Sequence, residues 1–189
     1  MTTPSHLSLI LDVSPQISQI LPFHSLISSL QIFLNAHLSQ HKDSQISVFS
    51  STGNFLYPPA REVPPSSSVY PPFAIARESL LEALKDELEK EDLSCRLSAA
   101  LSLSLAYSNK LGGESKILVI CATEDVGTKY IGVMNAIFTA QKKRIPIDVV
   151  NMSPPAQMTF LQQAADATGG IYTLLKAPGM LLQNLIVWP

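Results

Sequence analysis

The chain has 189 residues, of which 46% are hydrophobic and only 15% charged, with a formal net charge of −2. That length supports a full core, the apolar content excludes a disordered chain, and the charge balance offers no overall field to draw in nucleic acid or an acidic membrane. No apolar run approaches the roughly 20 residues needed to cross a bilayer, and Met1 to His6 lacks the basic start and apolar core of a signal peptide.

The first run, Leu7–Leu11, is almost wholly apolar and reads as a buried strand. It delivers Asp12-Val13-Ser14-Pro15-Gln16 at its C-terminal end. An aspartate and two hydroxyls at alternate positions would grip a hard cation. Asp12 and Ser14 are present, but Gln16 replaces the second hydroxyl with a longer amide. Pro22–Leu38 then carries a helical pattern, and Ile46–Phe49 alternates apolar with polar, as a half-exposed strand does. Tyr57–Pro72 is rich in proline and serine and reads as an extended surface loop. Ile75–Lys90 is helical, with Asp86, Glu87, Glu89, Glu91 and Asp92 at its end read as a solvated face.

The helical pattern Leu93–Lys110 follows, holding Cys95. The buried strand pattern Ile117–Ala122 holds Cys121 and ends at Thr123, Glu124 and Asp125. With only these two cysteines, a disulfide framework and a four-cysteine zinc site are both excluded, and a reduced, intracellular protein is expected. Tyr130–Lys143 is helical, Ile147–Val150 is a strand ending at Asn151 and Ser153, and Pro155–Thr168 is a helix. Ser153-Pro154-Pro155 reads as that helix's start and Gly169-Gly170 as its stop. Ile171–Leu175 is the last strand. This alternation predicts one α/β domain over residues 1–189: a doubly wound, mostly parallel central sheet with helices on both faces.

In such a sheet ligands bind beyond the C-terminal strand edges, where strand order reverses. Asp12, Ser14, Ser94 and Asp125 could form an oxygen set for Mg²⁺ there, with Gln16 degrading it. The competing reading is that Asp12 and Ser14 satisfy backbone N–H groups. Signals for catalysis are poor: no dinucleotide fingerprint, phosphate-binding loop or nucleophile elbow is present. His6, His24, His37 and His41 have neither ligand spacing nor an obvious Ser–Asp companion. No catalytic residue is assigned.

Projecting Tyr130–Arg144 at helical period puts Tyr130, Met134, Ile137 and Phe138 on a sheet-facing stripe. The opposite side holds Gly132, Asn135, Ala136, Thr139, Ala140 and Lys143, a small and weakly polar face that a partner could approach closely. Lys142-Lys143-Arg144 is the one basic run, and the helix macrodipole accounts for it without nucleic acid.

The strand with Asp12-x-Ser14, the alternation and the polar strand ends resemble a von Willebrand factor A domain. The second half resembles one family more narrowly. The residues are Ile117-Leu118-Val119-Ile120 with Glu124-Asp125, Met134-Asn135 through Ala140-Gln141-Lys142, and Leu161-Gln162-Gln163-Ala164. Thr168-Gly169-Gly170-Ile171-Tyr172, Leu181-Leu182-Gln183 and Phe55-Leu56-Tyr57-Pro58 fit as well. That family is the smaller von Willebrand A-like core subunit of the general transcription and DNA-repair factor TFIIH. The resemblance implies a nuclear, non-catalytic scaffold without a cofactor of its own. Its implied partner is the larger von Willebrand A-like subunit, bound through that subunit's C-terminal zinc module, alongside other core subunits. It also implies support of RNA polymerase II initiation and nucleotide excision repair. Zinc is implied only for a cysteine-rich C-terminal module of the family, absent from this chain, which is expected to be a shortened form ending at Pro189. The alternative from the residues is a metal-dependent protein-binding A domain using a divalent cation at the strand ends.

Overall fold

Residues 5–41, 43–58, 71–90, 92–123, 130–152 and 158–187 are described in the computed structural model, the side chains of 71, 72, 75 and 178 excepted. The strands are β1 (Ser5–Leu11), β2 (Gln45–Ser50), β3 (Phe55–Tyr57), β4 (Glu114–Cys121), β5 (Ile147–Asn151) and β6 (Tyr172–Leu174). The helices are α1 (Pro15–Ile20), α2 (Phe23–Gln40), α3 (Pro71–Leu88), α4 (Leu97–Leu111), α5 (Tyr130–Lys143), α6 (Thr159–Thr168) and α7 (Leu181–Ile186). The six strands form one sheet in the order β3-β2-β1-β4-β5-β6. All pairs are parallel except β2 with β3, which closes the edge as an antiparallel hairpin.

Each apolar strand feeds two cores because successive side chains point to opposite faces. Leu7, Leu9, Leu11, Ile46, Val48, Leu118 and Ile120 pack under α2, α3 and α7. Ile10, Phe49, Ile117, Val119, Ile147 and Val149 pack under α4, α5 and α6. This is the doubly wound α/β sandwich expected from the alternation.

Several local expectations change. Strand β2 is buried rather than half-exposed from Ile46 to Ser50, because Ser47 at its centre is enclosed by His6 and Ser8. The helix expected from Leu93 starts at Leu97, so Cys95 lies in the non-helical segment ahead of it. β3, α1 and α7 were not anticipated as elements. The proposed start Ser153-Pro154-Pro155 and most of the Tyr57–Pro72 loop lie outside the described residues. Helix α6 does stop as expected: Gly169 takes φ 72° and its N–H donates to the Ala165 carbonyl oxygen. Gly170 has a second reason to be glycine, since a Cβ there would sit 2.1 Å from the Ile147 carbonyl oxygen.

Candidate functional site

Strand order reverses between β1 and β4, so the crevice of this sheet opens where Asp12 meets Ala122 and Thr123. Asp12 is 1% exposed, and both of its carboxylate oxygens are filled by the protein. Oδ1 accepts from the Ser14 N–H at 2.9 Å and the Ser51 hydroxyl at 3.2 Å. Oδ2 accepts from the Ala122 and Thr123 N–H groups, both at 2.9 Å, and from the Thr123 hydroxyl at 2.8 Å. Burial pushes this carboxyl up, but the bonds from Ala122, Ser14 and Thr123 outweigh it and hold the group below its ordinary value. Asp12 is thus a staple that ties the ends of β1, β2 and β4 together.

Two of the described members of the degenerate cation set, Gln16 and Ser94, lie away from it. Gln16 is exposed on α1. Ser94 is also exposed, and its N–H and hydroxyl bond to Asp92. Ser51, from the turn after β2, takes the place expected of Ser94. Ser14 stays close, its Oγ 2.7 Å from Thr123 Oγ1. Asp125 lies outside the described residues. A carboxylate already holding five N–H and O–H donors would have to release them to bind a cation, so the described residues do not fit one. No group of three or more His, Cys, Asp or Glu among the described residues could hold a metal ion.

Two polar clusters escaped sequence reasoning. Glu87, expected on a solvated face, is 2% exposed. It accepts from Ser50 at 3.0 Å and Asn54 at 2.9 Å, and also from Thr52 and Lys90. Burial would raise its carboxyl, yet the bonds from Lys90, Thr52, Asn54 and Ser50 bring it down to about 2. The signal was the run Ser50-Ser51-Thr52-Gly53-Asn54, whose donors demand an acceptor. At the opposite strand edge, His6 Nε2 lies 2.9 Å from Ser47 Oγ, and its Nδ1 lies 3.4 Å from both Ser108 and Ser115. Burial, with His37 nearby, lowers His6 to about 4. His6 and Ser47 are 4% and 0% exposed.

The α5 face also differs from its projection. Ala136 and Ala140 are buried, at 4% and 0% exposure, whereas Tyr130 and Phe138 are each 57% exposed. The core-facing side is Val133, Met134, Ala136, Ile137 and Ala140. The projection placed the inward stripe too far round, because α5 leans against α4: a Cβ on Gly132 would lie 3.0 Å from Ser98 Cβ. Of the predicted face, Asn135, Thr139 and Lys143 remain exposed. They line a groove of about 330 Å³ between α4 and α5, together with the exposed Ala106 and the buried Leu105 and Ala136. Beside it Ile131, Asn135, Phe138 and Lys142 form the outermost stripe, with Ile131 73% exposed.

The family model of transcription factor Tfb4 matches residues 4–188. The chain belongs to the Tfb4 family. The Schizosaccharomyces pombe member, named general transcription and DNA repair factor IIH subunit tfb4, is 38% identical over 98% of this chain and 69% of its own length. The crystal structure of the TFIIH p34 N-terminal domain superposes with TM-score 0.85 at 30% identity, covering 97% of each chain. A von Willebrand factor type A protein from Catenulispora acidiphila superposes with TM-score 0.75 at 13% identity, over 97% of this chain and 41% of that one. The fold of this Tfb4-family chain is therefore von Willebrand factor A-like.

Proposed function

We propose that this chain is a non-catalytic assembly subunit of the transcription factor IIH core, working in the nucleus in RNA polymerase II initiation and nucleotide excision repair. Its partner is the larger von Willebrand A-like subunit, bound through that subunit's C-terminal zinc module. Family membership supports the assembly, and the closure of Asp12 by five protein donors argues against a cation-dependent adhesion mode. The observation that carries the binding surface is the α4–α5 flank. There a groove lined by the buried Leu105 and Ala136, and by the exposed Asn135, Thr139 and Lys143, adjoins the exposed Ile131 and Phe138. Exposed aromatic and aliphatic groups beside a polar rim are the usual anatomy of a protein interface.

Titration of the chain with the isolated zinc module of the larger subunit tests this. Saturable binding is expected, with Lys143→Glu weakening it by about tenfold or more through loss of a rim cation. Equal affinity for the wild type and the Lys143→Glu variant, or no binding at all, would remove this surface from consideration.

A further inference from the structure

At the end of the sheet away from Asp12, two polar residues stand where the core pattern calls for aliphatic ones. The buried stripe of α2 runs through Leu26, Leu30 and Leu34, and the next position at helical spacing is His37. In β4, Leu118 and Ile120 join the core under α2 and α7. The residue ahead of them on the same strand face is Lys116, in register with Leu7 of β1. His37 and Lys116 line one half-open cavity of about 220 Å³, together with Gln40, Phe33, Leu185 and Ile186. His37 Nε2 is buried without a hydrogen-bond partner. The Ser5 and Gln45 backbones lie near the ring, but neither reaches bonding geometry with that nitrogen.

We propose that this cavity binds a small monocarboxylic acid with an apolar body. The carboxylate is held by Lys116 and Gln40, His37 Nε2 donates to it, and the body lies against Phe33, Leu185 and Ile186. The charge fits. Among the described residues no carboxylate lines the cavity. Burial, with Lys116 nearby, lowers His37 below its ordinary value and leaves it neutral at pH 7, so Lys116 supplies the one positive charge. One cation matches one carboxylate, whereas a phosphate dianion would stay undercompensated beside an apolar wall. Lys116 and Gln40 already interact within the protein, but three ammonium donors and two amide donors leave room for a further acceptor. The size fits as well. A cavity of about 150 Å³ holds one benzene ring, so this one admits a ring with a short acid-bearing chain.

Such a ligand bridges α2, β4 and α7, a short helix that docks through Leu181 and Leu185. Binding should therefore also raise the thermal midpoint of the chain. The cavity lies on the α2–α7 layer, opposite the α4–α5 layer, so it does not depend on the partner surface proposed above.

The test titrates the isotope-labelled full chain with hydrocinnamate at neutral pH and follows backbone NMR shifts. Saturable shifts are expected in the second half of α2, the start of β4 and α7, with a Kd of about 1 mM or tighter. The neutral analogue hydrocinnamyl alcohol should bind the wild type at least about tenfold more weakly. Lys116→Met, at an exposed position that tolerates the change, should weaken the acid by a similar factor, and Lys116→Arg should retain it. His37→Leu, which completes the apolar stripe of α2, should fold and bind severalfold more weakly. No saturable shift at about 10 mM acid, equal affinity for acid and alcohol, undiminished binding by Lys116→Met, or shifts centred on the α4–α5 groove would each overturn the proposal.

Discussion

Asp12 and Glu87 are both buried carboxylates surrounded by donors, and each joins segments that the chain does not connect locally. Removing Asp12 orphans the Ser14, Ala122 and Thr123 N–H groups together with the Ser51 hydroxyl. Asp12→Ala is therefore expected to cost on the order of 3–5 kcal/mol of stability in denaturant unfolding. Calorimetric titration of the wild type with Mg²⁺ should show no sub-millimolar binding. Glu87 gives a pH signature. Its carboxyl titrates near 4.5 when the chain is unfolded and near 2 when it is folded. The stability it contributes is thus fully present above 4.5 and lost as pH falls toward 2. Glu87→Gln should flatten that part of the acid-unfolding profile and lower stability at neutral pH by about 1.5–3 kcal/mol. His6 acts at higher pH, because its lowered pKa of about 4 against 6.5 favours the neutral folded form. Its contribution is complete above 6.5 and fades as pH falls toward 4, which keeps the two effects separable.

Helix α5 shows how an element can be placed correctly and oriented wrongly. Its limits, Tyr130–Lys143, were legible from the period alone. Its rotation was not, because the projection assumed one buried stripe facing the sheet, whereas α5 also packs against α4 through Gly132 and Ser98. A neighbour on one flank turns Ala136 and Ala140 inward and leaves Phe138 outside. Two substitutions separate the two orientations. Ala140→Glu buries an uncompensated charge at a 0% exposed position and should unfold the chain or cost more than about 4 kcal/mol. Phe138→Ala should leave the thermal midpoint nearly unchanged and weaken zinc-module binding by about 2 kcal/mol, roughly thirtyfold. Strand β2 fails for a related reason: alternation at Ile46–Phe49 signals exposure only if the polar side faces water. Here Ser47 faces His6 and Ser8 instead.

At the scale of the whole molecule, one sheet serves two cores, so neither helical layer has a strand set of its own. The chain should therefore unfold as one cooperative unit. Leu30→Ala on one layer and Leu101→Ala on the other, at 1% and 0% exposure, should each cost about 2–5 kcal/mol. Both should shift the same single calorimetric transition; two separate transitions would contradict a shared core. The fold class was readable because continuous apolar strands alternating with helical periods have few ways to bury their surface. The crevice between β1 and β4 was readable in part, since Asp12, Ser14 and Thr123 stand at strand ends in the sequence itself. Hydrophobic period and strand-end polarity are local properties, and they determined the layers and the places of five of the six strands, while the family was legible through the resemblance of the second-half motifs. Which donors fill Asp12, that Glu87 is buried and which way α5 turns were decided only by tertiary structure. Each depends on groups tens of residues apart in sequence, and packing alone brings such groups into contact.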